Sequence, residues 1–148
     1  MTTTYKDLGL YSICEKIKKL SKSDVKVGLF DDIVYDKKNV SVAQVGFWNE
    51  YGTKRIPSVS FLEHTLNKNK KKYVNKLAIK LGAIYSNKIT VIELLKEYGI
   101  DHAIDIRNRI IDVKIPENAE STVKIKGFDD RLVHTGLMRD SIRVLIEE

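Results

Sequence analysis

A chain of 148 residues fits a single domain spanning 1–148, large enough to bury a conventional core without disulfides or a structural metal. No apolar run approaches the ~20 residues a bilayer span needs, and Met1 to Asp7 holds no apolar leader core, so a soluble, non-secreted protein is expected. The net charge of +6 is unevenly placed: nine Lys/Arg face one acid, Glu63, between Lys54 and Thr90, leaving 17 of the 26 cations and 19 of the 20 acids for the rest. The basicity therefore belongs to one element.

Cys14 is the only cysteine and sits among Tyr11, Ile13 and Ile17, where it reads as a small buried hydrophobe, with a reducing compartment or indifference to redox as the corollary. The same stretch, Leu8 to Leu20, carries apolar residues at 10, 13, 14, 17 and 20 with Lys16, Lys18 and Lys19 between them, a helical stripe. Val25, Val27 and Leu29 alternate with Lys26 and Gly28 from Asp24 to Phe30, the period of a half-buried strand. Asp31, Asp32, Asp36, Lys37, Lys38 and Asn39 then read as a polar loop.

Three capping boxes follow, each a Ser or Thr with Glu or Gln three residues on: Ser41-Gln44, Ser60-Glu63 and Thr90-Glu93. The first opens a helix from about Val42 to Tyr51, stopped by Gly52 in the left-handed position. The second opens a long helix with Leu62, Leu66, Tyr73, Leu77, Leu81 and Ile84 on one side; its polar patch, Asn67 to Lys72, is expected to project beyond the core. The third runs from Val91 to about Val113 and buries Leu94, Leu95, Tyr98, Ala103, Ile106 and Ile110; Gly99 inside it marks either a break or a close approach of another backbone. From 114 to 136 no period is sustained, although Ile115, Val123, Ile125, Phe128, Leu132 and Val133 are apolar, and the segment reads as an extended loop or arm that orders against something else. Ser141 to Glu147 closes the chain as a strand able to pair with Val25–Leu29. The expected class is α+β: a small antiparallel sheet packed with a long helix and two or three shorter ones.

Catalytic patterns are missing from the sequence. His64, His102 and His134 have no metal-ligand spacing; His134, Asp140 and Ser141 lack a nucleophile elbow; Gly52-Thr53-Lys54 lacks the upstream glycine and strand of a phosphate loop. The carboxylate pairs Asp31-Asp32 and Asp129-Asp130 lie beside cations. No enzyme, cofactor, metal or small-molecule substrate is expected.

The stretch between the first two helices is the densest in unusual residues, with Trp48, Gly46, Gly52, Lys54, Arg55 and Pro57. Asn49-Glu50-Tyr51-Gly52-Thr53, then Ile56-Pro57, then Phe61-Leu62, resembles the pattern "(N/H)-E-(F/Y)-G-T … I-P-x-x-(P/S)-F-L" of the small tail-completion and head–tail joining proteins of tailed bacteriophages. Ser121-Thr122, Lys126-Gly127, Leu132 and His134-Thr135-Gly136-Leu137-Met138-Arg139-Asp140-Ser141-Ile142 resemble that family's "T-x-x-x-K-G … L-x-x-T-G-x-(L/M)-x-x-S-I" ending. The blocks stand in the right order and span roughly 25–145. The chain departs from the pattern at Val59-Ser60, where Arg-Pro is usual, and at Arg131, where Pro is usual.

The resemblance implies a non-catalytic α+β virion protein of the tail or neck, found in the host cytoplasm during assembly and working as a ring or collar with itself and other neck or tail proteins. Trp48, Glu50, Gly52, Thr53, Ile56, Pro57, Phe61 and Leu62 would then form a rigid corner, with Phe61 and Trp48 pinning it to the core. Phe128, Leu132, Thr135, Gly136 and Arg139 would contact a neighbouring subunit. Lys54, Arg55, Lys68, Lys70, Lys71 and Lys72 admit three readings: DNA in the channel, a protein partner, or solvent. A tail terminator that caps the tube is a near variant, a basic nucleic-acid-binding protein is a different class, and a small enzyme is a distant third.

Overall fold

A computed structural model describes residues 9–35, 40–113, 124 and 136–147. The elements in chain order are α1 (Leu10–Lys22), β1 (Asp24–Gly28), β2 (Val34–Tyr35), β3 (Val40–Ser41), α2 (Val42–Tyr51), α3 (Leu62–Tyr85), α4 (Val91–Asp112), α5 (Leu137–Asp140) and β4 (Arg143–Glu147). The fold is α+β, as expected, and the second long helix, Val91–Asp112, follows the span read from the sequence, Val91 to about Val113. Of the anticipated arm at 114–136, only Lys124 and Gly136 are described; Phe128, Leu132 and Thr135 lie outside the described residues.

β1 and β4 pair antiparallel, with Val25 opposite Ile146 and Val27 opposite Val144, so one face of the ribbon is apolar. That face lies on α4. β2 and β3 form a second, minimal antiparallel pair, Val34 opposite Ser41. The polar loop expected from Asp31 to Asn39 is therefore partly strand, because Val34 and Tyr35 favour extended backbone and pair with Ser41 and Val40; residues 36–39 lie outside the described residues.

α4 runs unbroken through Gly99, so of the two alternatives the break is absent and a close approach is what the glycine permits. What approaches is side chain rather than backbone: a Cβ on Gly99 would lie 2.3 Å from Val144 Cγ1 and 3.2 Å from Val25 Cγ1. Gly99→Ala should therefore overpack the ribbon and cost about 1–2 kcal/mol, even after the better helix propensity of alanine. Trimming the obstacle with Val144→Ala in the same chain is expected to recover part of that loss in a thermal melt; a Gly99→Ala protein as stable as the parent would refute the packing.

Two apolar clusters flank α4. Val42, Val59, Phe61, Ala103, Ile106, Ile110, Val113, Met138 and Ile142 form one, and Ile84, Val91, Leu94 and Leu95, packed on by Leu20, Leu77 and Leu81, form the other. α1 contributes only an edge. Cys14 is exposed rather than buried, because α1 docks through Ile13, Lys16 and Leu20 while Leu10, Cys14 and Ile17 stay outside. The Lys16 ammonium secures the helix by donating to Ile84 O (3.0 Å) and Asn87 Oδ1 (2.6 Å) at the C-terminal end of α3, where the helix dipole favours a cation.

The seam between α3 and α4 explains part of the basic stripe. Lys72, Lys76 and Lys80, each one turn apart, pair with Asp105, Asp101 and Glu97 on the antiparallel α4. Tyr73 donates to Asp105 Oδ2 (2.7 Å), and its ring stands edge-on to Tyr98 and near His102. Burial alone would raise the Asp105 carboxyl; the bonds from Lys72 and Tyr73 outweigh it and hold the group below the usual carboxylate range.

His102 is buried with its Nε2 unpartnered, and desolvation pushes its pKa below the ordinary value, opposed by the charge of Asp105. The unfolded chain thus protonates more readily, so this contribution to stability is complete above about pH 6.5 and is lost as the pH falls below it. His102→Gln is expected to flatten the difference between melting temperatures at pH 7.5 and 5.5. An unchanged slope would assign the acid sensitivity elsewhere.

Candidate functional site

The most elaborately built region is the corner from Asn49 to Thr65, where α2 hands the chain to α3. α2 begins as the sequence predicts: Ser41 Oγ accepts from Gln44 N (3.1 Å), and the helix spans Val42 to Tyr51. Gly52 ends it with φ 77° and ψ 174°. This is positive-φ backbone with extended ψ, a region essentially closed to other residues, rather than the left-handed helical position.

Thr53 closes the next turn. Its N–H donates to Ile56 O (2.7 Å), and its Oγ1 accepts from Arg55 N (3.2 Å) and Ile56 N (3.0 Å). Val59 N then donates back to Asn49 O at 2.6 Å, tying the outgoing segment to the last turn of α2. Pro57 lies exposed between these ties and Ile56 is half-buried.

Glu50 carries the corner. It is 6% exposed, and its carboxylate accepts four hydrogen bonds at the start of α3: Oε1 from Ser60 Oγ (2.9 Å) and Glu63 N (2.9 Å), Oε2 from Phe61 N (2.7 Å) and Leu62 N (2.9 Å). The Ser60-Glu63 box expected to start this helix is not formed. Phe61 occupies the N-cap position, Glu50 takes the free amides, and Ser60 is a relay whose hydroxyl donates to Glu50 and accepts from His64 N (3.2 Å). A buried carboxylate with no cation paired to it among the described residues is tolerable here because three backbone N–H groups and the positive end of a 24-residue helix face it. By contrast Thr90-Glu93 forms its full reciprocal box.

The sequence contained a sign of this role. A carboxylate in the last turn of α2 opposes that helix's own dipole, so it needs a reason from outside the helix, and α3's N-terminus supplies it.

The remaining corner residues divide by environment. Phe61 is fully buried, Val59 is buried and Leu62 packs on the same cluster. Trp48, expected as the second pin, is only half-buried, and Val59 with Val42 takes that part. Lys54 and Arg55 are exposed, as are Phe47 (60%) and Tyr51 (67%), whose rings are 4.8 Å apart. On α3, Lys68, Lys70 and Lys71 are exposed, whereas the Lys72 ammonium is engaged by Asp105.

From the second block, Gly136 starts α5 in the left-handed conformation (φ 77°, ψ −11°), and Arg139 pairs with its neighbour Asp140 (2.7 Å). Met138 and Ile142 are buried in the cluster that holds Phe61. The two sequence blocks, separated by both long helices, thus meet in one core.

Among the described residues no group of three or more His, Cys, Asp or Glu could hold a metal ion, and no helix is long and apolar enough to cross a membrane. Comparison with protein-family models, with curated proteins and with solved structures returns no match.

Proposed function

We propose that this chain is a structural protein of a bacteriophage virion, acting without catalysis at the head–tail interface as a ring or collar that completes the tail or joins it to the head. The observation that carries the reading is the joint packing of the two sequence blocks: Phe61 of the first and Met138 and Ile142 of the second share one cluster. The Glu50 clamp adds to it, since a ring closes only if each copy holds the next at a fixed angle, and a corner tied by backbone and carboxylate bonds keeps its angle. Disrupting the gene in its phage is the direct test. Filled heads beside detached tails of normal length are expected; overlong tails would move the assignment to a terminator, and intact infectious particles would overturn it.

A second reading, a nucleic-acid-binding protein, is favoured by one feature. Lys68, Lys70 and Lys71 have no carboxylate partner among the described residues, unlike the three lysines that follow them. If they track a duplex, replacing all three with alanine should reduce the log–log salt slope of binding by about 2.7, near 0.9 for each phosphate released. A slope that does not move leaves these lysines to a protein partner or to solvent.

A further inference from the structure

A heterologous ring needs two different surfaces on each copy, one fitting the other. The corner offers the first. Phe47 and Tyr51 stand mostly exposed with their rings 4.8 Å apart, and Lys54 and Arg55 follow within one turn of chain, exposed and without a carboxylate partner among the described residues. Exposed aromatic side chains beside an arginine are the composition of an interface centre rather than of ordinary surface.

The matching surface lies on α4. Ile100, Ile104 and Ile111 are 44%, 46% and 45% exposed along the helix side turned away from the ribbon and both clusters. Ile104 and Ile111 are two turns apart, about 10 Å, a span that two adjacent aromatic rings can cover. The acids along α4 differ in availability. Asp101 and Asp105 are held by Lys76 and Lys72, whereas Asp112, next to Ile111, is exposed and takes part in no ion pair among the described residues. Arg107, which could have opposed an incoming cation, is turned inward and donates to Ile142 O (2.6 Å).

Other pairings fit less well. The exposed stripe of α1, Leu10, Tyr11 and Ile17, is accompanied by Lys22, and the one acid of that helix, Glu15, is already paired with Lys18 (3.1 Å), so it offers Lys54 and Arg55 no ready partner. A contact of the corner with its own copy has the same fault.

We infer that the occupant of the corner's aromatic surface is a second copy of this chain: Phe47 and Tyr51 seat on the Ile100–Ile104–Ile111 stripe of the next copy's α4, and Lys54 and Arg55 meet Asp112. This rests on the ring reading and names its interface.

The test uses the full chain carrying Cys14→Ser, with single cysteines placed by Tyr51→Cys or Ile104→Cys. Under mild oxidation an equimolar mixture should give covalent dimers that neither variant forms alone, and the doubly substituted chain should give a ladder of multimers. In parallel, Lys54→Glu with Arg55→Glu should raise the concentration for half-assembly, read by light scattering, roughly tenfold or more, and Asp112→Lys should restore it. Self-assembly with no mixed disulfide and no rescue by Asp112→Lys would overturn this interface and leave the ring reading standing. A wild-type chain that stays monomeric at all concentrations, without mixed disulfides, would overturn both.

Discussion

Replacing Glu50 with alanine is expected to cost about 3–5 kcal/mol, the range found when one partner of a buried charged network is removed, and to lower the melting temperature by roughly 6–20 °C in a domain of this size. The loss follows from what is stranded. Three backbone N–H groups and the Ser60 hydroxyl lose their acceptor in a place that is nearly closed to water. Glu50→Gln keeps the volume but turns an NH2 group toward amides that also donate, so at least one pair faces donor to donor, and most of the penalty should remain. Ser60→Ala removes one bond of the four and should cost about 1 kcal/mol. The ordering Ala ≥ Gln > Ser60→Ala in thermal melts, with faster amide exchange at Phe61, Leu62 and Glu63 in both Glu50 variants, is the expected pattern. If Ser60→Ala were as damaging as Glu50→Ala, the helix start would belong to the serine, as the sequence box alone suggests.

That contrast marks where the sequence was legible. α2, α4, the Thr90-Glu93 box and the β1–β4 pairing came out of periodicity and capping, because the residues that decide them are neighbours on one element or alternate along one strand. The failures share a different cause. Ser60-Glu63 has the form of a box, but a carboxylate ten residues upstream outcompetes the serine for the same amides, and nothing in the local pattern records the competitor. Cys14 lies on a true apolar stripe, yet a stripe does not state which of its edges docks. Lys72, Lys76 and Lys80 look like part of one basic face until α4 is laid beside them; the acids that neutralise them were visible at the same four-residue spacing, but only the antiparallel pairing of the helices aligns the two sets. Gly99 was ambiguous for the same reason, since its neighbour Val144 is on the final strand.

Gly52 is the second residue of the corner that resists replacement. Its φ of 77° with ψ of 174° costs any other residue about 1–3 kcal/mol in backbone strain alone. A Cβ there would lie 2.9 Å from Ser58 N and 3.0 Å from Ile56 O, which are backbone atoms that cannot swing aside as a side chain would. Both belong to a segment fixed by the Thr53–Ile56 and Asn49–Val59 bonds, so relief requires opening the turn. Gly52→Ala is therefore expected to lose about 2–5 kcal/mol and Gly52→Val more, with the Lys54→Ala protein, altered only at the exposed surface, melting close to the parent. Gly52→Asn separates the two possible reasons for a glycine at this site. Asparagine tolerates the left-handed helical region, so a position of that kind would accept it at little cost, whereas extended ψ at positive φ gives it no advantage over alanine. Equal damage from Asn and Ala places the constraint in the Gly52 backbone and the contact with Ser58; a near-normal Asn protein would mean that the chain turns there as an ordinary helix end.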